Sequence, residues 1–440
     1  MIELVGKYTT AKIFAETIEE GVYQQVYDII NCKAFEGQTV CLMPDTHVGA
    51  SGPCGLVATL GDYVCPEHIG VDIGCTVSAM ILDKCLSQDK YAEFEHRVKQ
   101  RIPVGFDINK HTVFDEKEFR KFMTNGCNKY KSMWPEKLDY LPNVITEEYI
   151  SQLLKKIGME EEVFYHSICS LGGGNHFLEY DESKDLTKAA FLVHCGSRNF
   201  GLKVCKYWTN VAKQTSGGLS KAEVRDLTKL YKKGYLASHK DMSTFKEDLN
   251  DFLEEKRNSS GNINGYLRGH EMKGYLADMA ISQLYAQFNH ICIRKTVADI
   301  LSSYNIKPVE TIISVHNFID LEDHVMRKSA IRSYAGETIL VPFNMRDGVA
   351  VCEGLSNPEW LNSCAHGAGR KMSRSAAKKN ISLNDFKKSM EGIYSTTVNN
   401  STIDEAPMAY KDTDEIKELI QQTCKIKYML LPKINIKAAE

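Results

Sequence analysis

Apolar and polar residues along the chain alternate between brief strand-like runs and helical faces. Residues 38–82 carry TVCLMP, GLVATLG and TVSAMIL, three short runs separated by Gly, Pro and Asp clusters, which predict strands joined by turns. Residues 88–160 predict mainly helix. Thr146 followed by Glu147 and Glu148 marks a helix start, after which Ile150, Leu153, Leu154 and Ile157 share one face. A glycine-rich strand-and-turn block covers 168–201. Residues 220–256 are charged with a helical period, NSSGNING after them predicts a loop, and the span from about 205 to 265 reads as a helical insertion. A long helix is expected from Glu271 to about Ser303, because Met272, Leu276, Met279, Ala280, Leu284 and Phe288 recur at helical spacing. Strands return at 311–316 and 338–352. A basic helix is expected near 368–380 and another near 413–424, with Asp412 and Glu415 as a capping box. No internal repeat or Pro-rich linker divides the chain.

Composition narrows the classes. The 440 residues are 43% hydrophobic and 25% charged, which supplies a core and excludes a disordered or collagen-like chain. Lys plus Arg total 54 and Asp plus Glu 57, for a net charge of -3. A globally basic nucleic-acid coat is therefore excluded, and a polyanion has to be held by a local basic site. MIELVGKYTTAKIFAE has no basic segment followed by an apolar run, and no stretch reaches the roughly 20 apolar residues that a bilayer span needs. The fourteen cysteines are scattered and form no C-x-x-C pair, so free thiols in a reducing cytoplasm are expected rather than disulfides or a zinc ribbon. No membrane partner is expected.

The candidate chemistry lies in the glycine-rich turns. A single histidine is ordinarily a surface or satisfied core residue. Four of the thirteen, however, sit on apolar strands or glycine turns beside other polar anchors: His176 in LGGGNHFLEY, His194 in FLVHCGSRNFG, His316 in ISVHNFID and His366 in CAHGAGRKMSR. GVDIGCTV adds Asp72 and Cys75, three apart across Gly74, which permits a tight turn. A carboxylate and a thiolate with imidazoles suit Mn²⁺, Zn²⁺, Fe²⁺ or Co²⁺ rather than Mg²⁺ or Ca²⁺ alone. D-x-x-C by itself is as well explained by a buried thiol and a turn-capping Asp; its coincidence with the histidines points to metal. GGGNHF, HCGSRNFG and HGAGR can cradle phosphate oxygens, although none is a Walker A loop or a complete dinucleotide fingerprint. HGAGR is expected to run directly into its basic helix, placing His366 beside Arg370 as a candidate phosphate-accepting nucleophile.

MPDTHVG, GVDIGCTV, GGGNHFLE, HCGSRNFG, VHN, MRKSA, HGAGRKMSRSAAK, AYKD and INIKA occur in this order from about residue 43 to residue 437. Together they resemble the RtcB family of RNA-splicing ligases. The resemblance implies one large α+β domain over 1–440, with β-sheets around a central dinuclear metal cleft and helices outside. It implies that Cys75 bridges two Mn²⁺ ions whose shells Asp72, His176, His194 and His316 complete, and that His366 is the catalytic nucleophile. It ties GTP and the phosphates to Asn175, His176, Phe177, Leu178, Glu179, His316, Asn317, Lys328, Pro342, Phe343, Asn344, Met345, Gly367, Ala368, Gly369, Arg370, Tyr410 and Lys437. The family's PGSM turn reads Pro342-Phe343-Asn344-Met345 here, Val349 stands where a serine helps hold the nucleotide, and HCGSRN replaces HSGSRG. These departures mark a divergent branch.

The activity so implied is GTP- and Mn²⁺-dependent joining of RNA 3′-phosphate or 2′,3′-cyclic phosphate ends to 5′-hydroxyl ends, in RNA splicing or repair. It proceeds through a guanylylated histidine and an RNA 3′-guanylate, with an activating helper protein as a further expected partner. The alternative is a dinuclear metal phosphodiesterase that opens cyclic phosphate ends without ligation. That enzyme needs the five metal ligands but not His366, Tyr410 or Lys437.

Overall fold

The computed structural model describes residues 1–215, 221–238, 244–246, 248–250, 252–253 and 265–438. They form a mixed α+β fold on two main sheets. The first sheet has the strand order Ile2–Val5, Thr10–Ile13, Val40–His47, Cys54–Thr59, Val325–Lys328, Asn317–Asp320, antiparallel throughout except where Thr10–Ile13 meets Val40–His47. The second runs Pro308–Val315, Thr76–Leu82, Ala189–Cys195, Phe177–Glu182, Cys424–Ile436, Gly348–Gly354, Thr338–Asn344 and is antiparallel throughout. This second sheet curls until its edge strands meet, where Leu340 N–H donates to Ser314 Oγ at 2.9 Å. Val77, Ala79, Leu192, Ile312, Leu340, Val351 and Leu430 fill the inside of the curl.

Helices cover the outside. Leu178 and Tyr180, on the outer face of the curl, pack with Phe94 and Val98 of the helix Tyr91–Arg101 and with Ile293, Val297 and Ile300 of the helix Gly269–Ser302. That 34-residue helix is buried almost continuously from Tyr275 to Ala286, so its early part passes through the core instead of lying on the surface. Sequence and structure agree on its start and end to within two residues. They agree also on the helix Glu147–Ile157, where Thr146 Oγ1 accepts from Tyr149 N–H at 3.1 Å. Two boundaries differ. The helix capped by Asp412 ends at Ile420, and the thirteen-residue strand Cys424–Ile436 follows, because that segment is needed between two strands of the curled sheet. The basic helix begins at Arg374 rather than near 368. Of the expected insertion at 205–265, the described residues include the second half of the helix Arg198–Thr215 and the helix Lys221–Ser238; the expected NSSGNING loop at 258–265 lies outside the described residues except for Gly265.

All fourteen cysteines are free thiols, and only Cys54, Cys85 and Cys292 are more than marginally exposed. Among the described residues no helix is long and apolar enough to cross a membrane.

Candidate active site

Strand direction gathers the candidate ligands. Asp72 and Cys75 precede Thr76–Leu82, His176 precedes Phe177–Glu182, His194 lies near the end of Ala189–Cys195, and His316 follows Pro308–Val315. Neighbouring strands are antiparallel, so the start of one lies beside the end of the next. Thr76 is in register with both Val315 and Cys195, and His194 with both Val77 and Phe177. All five side chains therefore stand at one end of the curled sheet. The D-x-x-C turn closes through Cys75 N–H to Asp72 O at 3.1 Å, with Gly74 in the left-handed region at φ +75. His316 N–H donates to Cys75 O at 2.9 Å and ties the fifth residue to that turn.

Their donor atoms converge. Cys75 Sγ lies 3.4 Å from both His176 Nε2 and His194 Nε2, His194 Nε2 lies 3.2 Å from His316 Nε2, and His176 Nε2 lies 3.0 Å from Asp72 Oδ2. His194 Nδ1 stands 3.1 Å from the Asn175 carbonyl. A carbonyl only accepts, so Nδ1 carries the ring proton and Nε2 turns its lone pair into the cluster. Burial, followed by the neighbouring histidines, holds His194 well below the usual imidazole range, and burial does the same to His316. Both rings are thus neutral, the form that ligates metal. Burial pushes the Cys75 thiol up, and the Asp72 charge adds to this. For Asp72 itself burial also acts upward, but the hydrogen bond and charge of His176 outweigh it and keep the carboxyl low. A carboxylate, a sulfur and neutral imidazoles aiming lone pairs at one another fit a borderline divalent cation. Cys75, His176 and His194 hold their ligand atoms within 4.8 Å of one another.

His366 follows the strand Ser363–Ala365, and its ring centroid is 5.0 Å from that of His316. Its Nδ1 lies 2.7 Å from Oδ2 of the fully buried Asp45. The carboxylate accepts from Nδ1–H, leaving Nε2 with the free lone pair. The chain beyond His366 is held as an open loop, which is why the expected helix starts late. Gly369, at φ +73, approaches so closely that a Cβ would lie 2.1 Å from Asp45 O. Its own carbonyl accepts from Lys411 N–H at 3.0 Å, while Lys371 N–H donates to Ala409 O at 3.0 Å. The backbone bonds a helix would use are committed to another segment until Ser373 Oγ caps the helix at Arg374.

A cavity of about 460 Å³ opens between His366 and His194. Of the positions that the resemblance ties to nucleotide and phosphates, Asn175, Phe177, Glu179, Pro342, Phe343, Asn344, Met345, Gly367, Ala368, Gly369, Arg370, Tyr410 and Lys437 line it, with Val349 as an apolar wall. His176 and His316 belong to the ligand cluster instead. Leu178 does not face the cavity: strand alternation sends it into the outer core. Lys328 and Asn317 also do other work. The Lys328 ammonium donates to Ser51 O at 2.6 Å and Gly52 O at 2.9 Å, and Asn317 braces the Asp72–Cys75 turn through Nδ2 to Asp72 O at 3.2 Å. Asn344 Oδ1 accepts from Arg346 N–H and Asp347 N–H, each at 3.0 Å, so it stabilises its own hairpin turn.

Three contributors went unread in the sequence. Asp45 lay inside MPDTHVG, but its partner is 321 positions away. Asn435 donates to Glu179, its register partner on the neighbouring strand. Glu405, five residues before Tyr410, accepts from Tyr410 OH at 2.7 Å, pairs with Arg370 at 3.3 Å and Lys437 at 3.2 Å, and contacts Arg374. Burial alone would raise the Glu405 carboxyl, yet Lys437, Arg374 and Arg370 outweigh it and bring it down to about 2. Asn435 lay inside INIKA, and no local pattern marks Glu405.

Comparison with known proteins agrees with this arrangement. A family model described as tRNA-splicing ligase RtcB matches residues 25–438. The chain is 26% identical over 420 residues to RNA-splicing ligase RtcB of Escherichia coli strain K12, covering 90% of each chain. It is 27% identical over 447 residues to RNA-splicing ligase RtcB homolog 2 of Entamoeba dispar, covering 90% of this chain and 80% of that protein. With tRNA-splicing ligase RtcB of Archaeoglobus fulgidus the identity is 24% over 480 residues, covering 94% and 90%. With a match over nearly its whole length, and with the motif residues of five distant segments gathered around one cavity, the chain belongs to the RtcB family.

Proposed function

We propose that this chain is an RNA ligase that joins RNA 3′-phosphate or 2′,3′-cyclic phosphate ends to 5′-hydroxyl ends, using GTP and two Mn²⁺ ions. The observation that carries the reading is His366: Nδ1 is held by the buried Asp45, Nε2 is free, and the residue lines a cavity together with the ligand-cluster histidine His194 and the carboxyl of Glu179. Asp72, Cys75, His176, His194 and His316 would hold the metal, which would supply positive charge to orient and neutralise phosphate oxygens.

In this reading His366 Nε2 bonds to the α-phosphorus of GTP and pyrophosphate leaves. Asp45 stabilises the positive charge that develops on the ring. The RNA 3′-phosphate oxygen then takes the GMP and frees His366, after water has opened the ring where the end is a cyclic phosphate. Finally the 5′-hydroxyl attacks the 3′ phosphorus, and GMP departs. The activation is needed because a phosphate dianion is a poor electrophile with a poor leaving group. Glu179 accepts from guanine N1–H and N2–H, which adenine does not offer. A phosphodiesterase that only opens cyclic phosphates has no use for the Asp45–His366 pair. The span 205–265 is read as a helical insertion outside this machinery.

Incubation with Mn²⁺ and α-labelled GTP tests the proposal. An acid-labile label on the protein that transfers to RNA 3′-phosphate is expected; an unlabelled protein that still opens cyclic phosphates refutes it.

A further inference from the structure

The strand Phe177–Glu182 carries two acids on the face where alternation requires both to point the same way. Leu178 and Tyr180 face the outer core, so Phe177, Glu179 and Asp181 face the inside of the curl. Glu179, 3% exposed, reaches the cavity wall, and Asp181, wholly buried, lies one step deeper. The register partners of Glu179 are Leu192 and Asn435, and those of Asp181 are Ala190 and Pro432. Asn435 Nδ2 donates to Glu179. Neither oxygen of Asp181 has a hydrogen-bond donor, and the Asn435 Oδ1 is likewise unpartnered.

Two carboxyls two positions apart on one buried strand face repel each other when both are ionised, and burial penalises the second charge further. The surrounding charges do not supply a cation between them. The Lys437 ammonium is committed to Glu405 at 3.2 Å and His176 O at 3.2 Å. Lys433, at the bulge between Pro432 and Ile434, acts on Asp181 through its charge without a hydrogen bond, and Glu182 opposes it. The strand Ala189–Cys195 presents Ala190 and Leu192. On the outer face, the helix Tyr91–Arg101 brings Tyr91 and Glu95, and Glu95 is engaged by Thr396. Burial, then Glu179, pushes the Asp181 carboxyl far up; burial lifts Glu179 to about 7 against the lowering effect of Asn435, Asp181 and Lys437.

We propose that Asp181 is a positioning residue that holds the single proton of a buried acid–carboxylate pair and donates it to Glu179, so that Glu179 meets the purine as a charged acceptor. The inference rests on the reading that Glu179 contacts guanine. The Asp181 O–H and the Asn435 Nδ2 take two of the four lone-pair directions of the Glu179 carboxylate, and two remain for guanine N1–H and N2–H.

Two measurements on the full-length protein test it. The infrared difference between the unaltered protein and Asp181→Asn at neutral pH should contain a protonated-carboxyl band; carboxylate bands in its place overturn the proposal. Guanylylation of His366 by GTP, followed from acid to alkaline pH, supplies the second. Asp181→Leu removes the donor, so the acid limb should move upward and the rate near pH 6.5 should fall about tenfold, with recovery at higher pH. Asp181→Asn keeps a donor and should return the limb toward its original position. A limb in Asp181→Leu that superimposes on that of the unaltered protein reduces Asp181 to a space-filler and overturns the proposal. Glu179→Gln separates the two readings: unchanged preference for GTP over ATP in that variant sinks the guanine contact, while the infrared band still decides where the proton resides.

Discussion

Glu405→Gln removes one charge from a point where three cations and a phenol meet, and the structure sets the size of the effect. The glutamine keeps the shape but leaves Lys437, whose side chain is 2% exposed, and Arg370, at 14%, without their shared counter-charge. A carboxyl drawn from 4.5 in the unfolded chain to about 2 in the fold contributes about 3 kcal/mol at neutral pH. Breaking a buried ion pair from one side costs about 3–5 kcal/mol, a figure that counts the same interaction again. The expected loss is therefore about 3–5 kcal/mol, read as a lower denaturant midpoint at pH 7. The sign of the pH dependence follows from the depressed carboxyl. Its contribution is complete above the unfolded carboxylate range and is lost as pH falls from 4.5 through about 2, so the gap between the two proteins should close over that interval. A loss under about 1 kcal/mol at pH 7, or a gap that ignores pH, would refute the account of Glu405 as the hub of the network.

Four further outcomes are expected. Cys75→Ser should abolish Mn²⁺-dependent guanylylation, because a hydroxyl is a far weaker bridging ligand than a thiolate; full activity at ordinary Mn²⁺ concentrations sinks the bridging role. His366→Ala should form no GMP adduct yet still seal RNA supplied as the 3′-guanylate, and Asp45→Asn should slow adduct formation at least about a hundredfold with metal content intact. An adduct persisting in His366→Ala on mass spectrometry places the nucleophile elsewhere. Burial raises the Cys54 thiol, but the charge and hydrogen bond of His47 outweigh it and bring it to about 6. Iodoacetamide at pH 7 should therefore label Cys54 ahead of Cys85 and Cys292, more slowly below pH 6; equal labelling of the three refutes the pairing.

Local pattern alone determined much of the secondary structure. The periodicity of Met272 to Phe288, the cap at Thr146 and the short strand-like runs at 76–82 and 338–352 are properties of short segments, and neighbouring residues suffice to specify them. The candidate chemistry was legible for the same reason. D-x-x-C, NHF and HGAGR are compact strings whose turns put polar groups on display, and the structure brings all of them to one cavity or the cluster beside it. Local pattern misled where a segment's backbone bonds are made far away. HGAGR has the composition of a helix start, yet Gly369 and Lys371 bond to residues 409–411 and hold the loop open. The segment Cys424–Ile436 is a strand through its pairing with a strand on each side.

What the tertiary structure alone decided is which groups act on one another. The antiparallel order of the curled sheet brought five scattered candidate ligands together at one end of the sheet. Long-range packing set Asp45 against His366 and drew Lys437, Arg370 and Arg374 onto Glu405. It also separated Lys328 and Asn317 from the cavity by giving them partners elsewhere. The identity of a polar side chain is written in the sequence. Its charge, tautomer and free lone pair depend on burial and on a partner hundreds of positions away, and these exist only once the chain has folded.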